Sequence, residues 1–244
     1  MYKKVLLIIL AILSIILVDC KKGEKKLIVA TNARYTPFEF IDKDNNIIGF
    51  DIDIIQAIAA EIGVEIEIKD VKDIIGYVSK NKADIGIGGI TISEWQKSQV
   101  NFSAPYYTSG IGIVVRSDSN NTTLDSLTGK KIGAQNGTTA WDIAEKIPDA
   151  ELLDIQDVSD LYIQLELNKI DAVIGDVPVN DYYIAVGGQG KIKKGDQLST
   201  KELGFITRKN NPKLAQEITR GLNIIKGNGK YFEIYNKWFK NNNN

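Results

Sequence analysis

Residues 83–107, ADIGIGGITISEWQKSQVNFSAPYY, open with isoleucines alternating with glycines and end on a tyrosine pair. A short apolar run interrupted by glycine suits a buried strand whose backbone something approaches closely. The run stops at Gly88-Gly89. Two hydroxyls, Thr91 and Ser93, then lead into Glu94-Trp95-Gln96. In a parallel α/β sheet, small ligands sit beyond the carboxyl end of such a strand. The alternative is a core strand followed by an ordinary turn.

Working outward, the residues before this stretch, with the stretch itself as the last strand, read β-α-β-α-β. Leu27–Thr31 is a strand, and the aromatic loop Asn32-Ala-Arg-Tyr-Thr-Pro-Phe-Glu-Phe40 leads to a hairpin turning at Asp44-Asn45-Asn46. Ile54, Ile55, Ile58 and Ile62 recur at helical spacing after a cap expected at Asp51, and Gly63 ends that helix. Val64, Ile66 and Ile68 alternate with glutamates as a half-buried strand, and 70–80 is helical by pattern. The same order returns after it, with strands at 131–135, 151–155 and 172–175 and helices at 140–146 and 158–167. Asn81-Lys-Ala-Asp-Ile-Gly-Ile-Gly88 is echoed by Asn168-Lys-Ile-Asp-Ala-Val-Ile-Gly175. The fold class predicted is α/β: two Rossmann-like lobes, lobe 1 formed by 26–112 with 206–240 and lobe 2 by 116–203. Ile111–Val115 and Leu203–Thr207 are the expected crossings, a two-segment hinge.

Composition removes several classes of function. The chain of 244 residues has no histidine, so histidine acid–base catalysis and histidine metal sites are excluded. Its one cysteine, Cys20, forms no intrachain disulfide and no zinc cluster. The 30 basic and 31 acidic residues are interspersed, which gives nucleic acid nothing to bind. No cofactor or metal is expected. Residues 1–20 read as a signal peptide: Lys3 and Lys4 precede the apolar run Val5–Val18, too short for a span of roughly 20 residues. The run ends in Leu17-Val18-Asp19-Cys20, which resembles the lipobox of bacterial lipoproteins, although Asp19 stands where a small neutral residue is the rule. The resemblance implies lipidation of Cys20 and attachment to the cell envelope.

Several side chains could form a site. Tyr35 and Phe38 either pack under the hairpin or floor a cleft. Gly137-Thr138-Thr139 opens a helix, where unpaired N–H groups favour an anion, or else Thr138 is an ordinary cap. Asp176, at the end of a strand, either accepts a cationic group or caps the next helix. An anion site, a carboxylate, hydroxyls and aromatic walls together suit a small zwitterion better than a reaction.

The runs TNARYTPFEF, IIGFDIDIIQAIAAEIG, ADIGIGGITIS, VNFSAPYY, LTGKKIGAQNGTTA and DAVIGD carry a resemblance. Over Leu27–Phe239 the chain resembles the polar amino-acid-binding family of solute-binding proteins of bacterial ABC importers, with the type II periplasmic fold. The resemblance implies a monomer outside the cytoplasm that closes on an amino-acid-like solute by hinge motion and passes it to a membrane permease. It implies that Tyr35 and Val71 pack on the ligand's side chain. It implies that the Gly89 carbonyl, Thr91 and Asp176 hold the ammonium, and that Thr138 and Thr139 meet the carboxylate. Gln96 falls where the family has a carboxylate-binding arginine, and glutamine offers only neutral hydrogen bonds. Arg34, beside Tyr35, either points to solvent or reaches the ligand's anionic end instead. A sensor that presents its ligand to a receptor is an alternative. So is an enzyme similar to the cyclohexadienyl dehydratases, for which Glu39 or Glu94 would be the nearest general acid.

Overall fold

The computed structural model describes residues 26–186 and 190–239; the leader and Cys20 lie outside the described residues. After β1 (Leu27–Thr31) comes a small sheet of β2 (Arg34–Tyr35), β3 (Glu39–Ile41) and β4 (Ile47–Ile48). The turn between β3 and β4 is the expected one: Asn45 is left-handed (φ 65°) and Asp42 Oδ1 accepts from the Asp44 and Asn46 amides. The first run closes with α1 (Phe50–Ile62), β5 (Ile66–Asp70), α2 (Ile74–Ser79) and β6 (Ile85–Gly86). Next come α3 (Glu94–Gln99), β7 (Val100–Phe102) and β8 (Tyr107–Arg116). A second run follows: β9 (Lys131–Ala134), α4 (Thr139–Ala144), β10 (Glu151–Asp154), α5 (Val158–Glu166) and β11 (Ala172–Asp176). The chain finishes with α6 (Val177–Val186), β12 (Ile192–Leu203), β13 (Ile206–Arg208), α7 (Pro212–Gly227) and α8 (Lys230–Phe239).

Two five-stranded sheets result, in the orders β5-β1-β6-β13-β7 and β10-β9-β11-β8-β12. Each places its second, first and third strands in parallel and then adds an antiparallel strand. That added strand is exchanged: β8 enters the second sheet directly from the first, and β13 enters the first directly from the second. The expected crossing Ile111–Val115 instead pairs along its whole length with β11, from Ile111↔Asp176 to Val115↔Ala172. Its residues are buried between β11 and β12, which is why the run is apolar. The passage between the sheets falls earlier, near Tyr107, which pairs with Leu203, and at Gly204-Phe205.

Asp51 is not the cap of α1. The helix begins two residues sooner, after Gly49 (φ 142°), where a Cβ would collide with the Phe38 carbonyl oxygen. Only glycine fits there, and Asp51 is turned inward instead. Helix 70–80 is also shorter than expected. Pairing of β5 with β1 continues to Thr31↔Asp70, and α2 starts after Asp73, whose side chain accepts from the Gly76 amide at 2.8 Å. Ile54, Ile55 and Ile58 of α1 are buried with Ile218, Leu222 and Ile225 of α7. Each such side chain contributes roughly 1.5–3 kcal/mol on burial.

Candidate functional site

The carboxyl ends of β1, β6 and β9 face one another across a cavity of about 320 Å³ between the two sheets. Tyr35, Gly88, Gly89 and Thr91 line it from the first sheet's side, and Gln135 to Thr139 from the second's. Two hydrogen bonds cross between these sides. Thr91 Oγ1 and Thr139 Oγ1 are 3.2 Å apart, and the Tyr35 hydroxyl donates to Asp176 Oδ2.

The glycine turn after β6 is held from below. Asp51 Oδ2 accepts from the Gly88 and Gly89 amides (3.0 and 3.2 Å) and from the Tyr106 hydroxyl at 2.7 Å. Glu39 is 1% exposed, yet it lines the cavity. Burial, then the charge of Asp51, pushes its carboxyl well above the usual range. Burial pushes Asp51 up to about 7, against the Tyr106 hydroxyl and the two glycine amides, which favour its charged form. Among the described residues no donor is in place for Glu39 Oε2 or Asp51 Oδ1. The two acids act on each other directly, and the charge of Asp51 favours keeping a proton on Glu39.

The expected site residues separate into two groups. Tyr35, Gly89, Thr91, Gln96, Thr138 and Thr139 are brought together on the cavity. Thr138 is nevertheless an ordinary cap: its Oγ1 accepts from the Trp141 amide and donates to the Gln135 carbonyl. Gln96 Oε1 accepts from Ser93 Oγ at 2.8 Å, which leaves the amide N–H groups for other partners.

The others lie elsewhere. Phe38 is fully buried, its ring 5.5 to 6.0 Å from those of Phe50, Tyr107 and Phe239. It packs under the hairpin because α8 returns to cover that face. Val71 donates its amide to the Thr31 carbonyl and packs by Val78, and the wall near it is formed by Lys72 to Ile75. Arg34 is drawn off by Asn32 Oδ1 (3.0 Å) and Asp70 Oδ2 (3.5 Å), and does not line the cavity. Asp176 is 3% exposed with both oxygens engaged, Oδ2 by Tyr35 and Oδ1 by Lys201 Nζ at 2.7 Å. Glu94 has an 89% exposed side chain, paired with Lys97.

Lys201 was missed from sequence. It lines the cavity from β12, beside the passage between the sheets, with its side chain 7% exposed. Nothing in the polar run Ser199-Thr-Lys-Glu202 marks it, since only pairing with Ser109 brings it to the cleft. Glu39 did carry a signal, as a carboxylate set among Phe38, Phe40 and Tyr35.

A cleft between two like sheets, polar on both sides and crossed by two strands, is the arrangement of a solute-binding protein. Residues 27–241 match the family described as bacterial extracellular solute-binding proteins, family 3. The chain belongs to that family. ABC transporter arginine-binding protein 1 of Escherichia coli (strain K12) is 30% identical over 223 residues, covering 88% of this chain and 91% of the relative. An ancestral arginine-binding protein bound to arginine is similar in structure, with TM-score 0.81, 33% identity, and 88% and 98% of the two chains covered. So is an ancestral amino acid-binding protein described as a precursor of cyclohexadienyl dehydratase, with TM-score 0.82, 33% identity, and 90% and 97% covered. The type II periplasmic fold expected from sequence is the fold observed.

Proposed function

We propose that this protein captures an amino acid between its two lobes, each built on one of the five-stranded sheets, and delivers it to the permease of an ABC importer. The observation that carries this reading is the inter-sheet cavity, of a size for one small solute, in a chain whose relatives include arginine-binding proteins of ABC transporters. Tyr35 walls the ligand, and the Gly89 carbonyl and Thr91 hydroxyl offer neutral acceptors. Gln96 donates from one side, and Thr138 and Thr139 meet the carboxylate with the backbone N–H groups at their turn. Lys201 supplies the cation that Gln96 cannot: an ammonium has three donors, and Asp176 takes one of them. The hinge strands bend and the lobes close as rigid units. The protein is a binding monomer, not a catalyst, and Cys20 anchors it by lipid outside the cytoplasm. Replacing Cys20 with serine would then release a soluble protein whose ligand binding is intact.

A thermal-shift screen of the mature protein against the amino acids tests the central claim. A ligand at a hundred times its Kd stabilises by about 2.7 kcal/mol. A set of amino acids of which none raises the midpoint at millimolar concentration would overturn the reading.

A further inference from the structure

Two Asn-Gly pairs occur in the chain, Asn136-Gly137 and Asn228-Gly229. Such a pair is open to self-modification, because glycine has no Cβ to keep its nitrogen away from the asparagine side chain. The structure separates the two pairs. Asn228 is held at both ends of its side-chain amide: Oδ1 accepts from the Lys230 amide at 3.1 Å, and Nδ2 donates to Glu61 Oε1 at 3.5 Å. Asn136 is exposed on the cavity, and its side chain meets no partner among the described residues. The turn is pinned to either side of Gly137. The Asn136 N–H donates to Asp154 Oδ1 (3.2 Å), and Thr138 Oγ1 donates to the Gln135 carbonyl (2.7 Å). Gly137 itself is left-handed (φ 77°), nothing crowds it, and its N–H meets no protein acceptor among the described residues.

We propose that Asn136 is a site of self-modification, deamidated while the cleft is empty. The Gly137 nitrogen attacks Asn136 Cγ as its proton passes through solvent to the departing amide. The N–Cγ bond forms, the Cγ–Nδ2 bond breaks, and ammonia leaves a five-membered succinimide. One water then cleaves either of the two carbonyl bonds to the ring nitrogen, giving aspartate or isoaspartate at position 136. No oxidant or further reactant enters. Either product adds a negative charge at the Gln135–Thr139 wall of the cavity, and isoaspartate also lengthens the backbone there by one carbon. Resting on the amino-acid reading above, a bound amino acid occupies the N–H groups of this turn and slows the attack. The modified protein binds amino acids more weakly, because the new charge faces the ligand's carboxylate. An empty cleft then ages faster than a filled one.

The test is peptide mapping by mass spectrometry of the dialysed mature protein, incubated at pH 8.5. The peptide holding Asn136 should gain about 1 Da, as an amide becomes an acid, at least tenfold faster than the peptide holding Asn228. Asn136→Gln should show no gain over the same interval, since the longer side chain must close a six-membered ring. A mixture of the twenty protein amino acids at millimolar concentration should slow the gain at Asn136 at least fivefold. The same mixture should raise the melting midpoint of fully converted protein by less than half the rise in fresh protein, and Asn136→Asp should behave like the converted protein. No gain at Asn136, or equal rates at the two pairs, overturns the proposal. So does an undiminished gain under a mixture that raises the midpoint, or a full midpoint rise in converted protein. A mixture that leaves the fresh midpoint unmoved overturns the proposed function instead, and the mass gain at Asn136 still decides the modification. The mass gain and the converted protein need no variant, so the proposal stays open to test even if a substitution does not fold.

Discussion

Lys201 Nζ lies 2.7 Å from Asp176 Oδ1, with the two side chains 7% and 2% exposed. The pair joins the end of a central strand to the strand that leads back to the first sheet. Removing one member of such a pair strands a charge, which costs about 3–5 kcal/mol, whereas replacing both costs far less. Asp176→Asn should therefore destabilise the protein by about 3 kcal/mol or more in urea titration. Adding Lys201→Met should recover most of that loss. Additive losses would mean that the two charges do not depend on each other.

Arg34 spends its guanidinium on Asn32 and Asp70 in a half-exposed pair, so Arg34→Ala should change stability by less than about 1 kcal/mol. Ligand affinity should be unchanged. Gln96→Ala should cost the ligand about 1 kcal/mol, one neutral hydrogen bond. Abolished binding in Arg34→Ala would put that arginine back in the site.

Stability should fall as pH rises. Glu39 and Asp51 hold their protons to higher pH in the folded chain, Asp51 to about 7, than their ordinary values of 4.5 and 3.8 allow. Between those limits the folded state binds more protons than the unfolded one, so each step up in pH favours unfolding. The ligand-free protein should melt lower at pH 8 than at pH 5.5, and Glu39→Gln should flatten the slope. A parent profile that rises over this window contradicts the upward shift of these two acids.

Gly49→Ala places a methyl against the Phe38 carbonyl and forces a left-handed φ on alanine. The expected loss is about 2–4 kcal/mol by thermal unfolding. The methyl also presses on the Glu39 backbone at the cavity floor, so affinity measured well below the new midpoint should fall as well.

The lobes were legible because their signals are local. Isoleucines at helical spacing, the Asp44-Asn45-Asn46 turn, Asn211-Pro212 opening α7 and the echo of 81–88 in 168–175 each need only neighbouring residues. The site was legible where it lies at strand ends: Gly89, Thr91, Thr138 and Thr139. It was illegible where partners are remote. Asp51 looked like a cap because its acceptors' partners, Gly88, Gly89 and Tyr106, follow it by 37 to 55 residues. Arg34 looked available because Asp70, at the end of β5, is brought beside it only by sheet pairing. Lys201 sits in a strand with no apolar alternation, and that strand's register is set by β8 across the hinge.

The exchanged strands also fix an order of assembly. The second sheet is built from one unbroken length, 107–203, whereas β7 joins the first sheet only through β13. α7, which buries the outer face of α1, follows β13 in turn. As the chain emerges amino end first, the lobe begun earlier is completed last, its parts waiting until residues beyond 206 arrive. A chain stopped at Leu203 would contain every strand of one sheet and leave the other in two unjoined pieces.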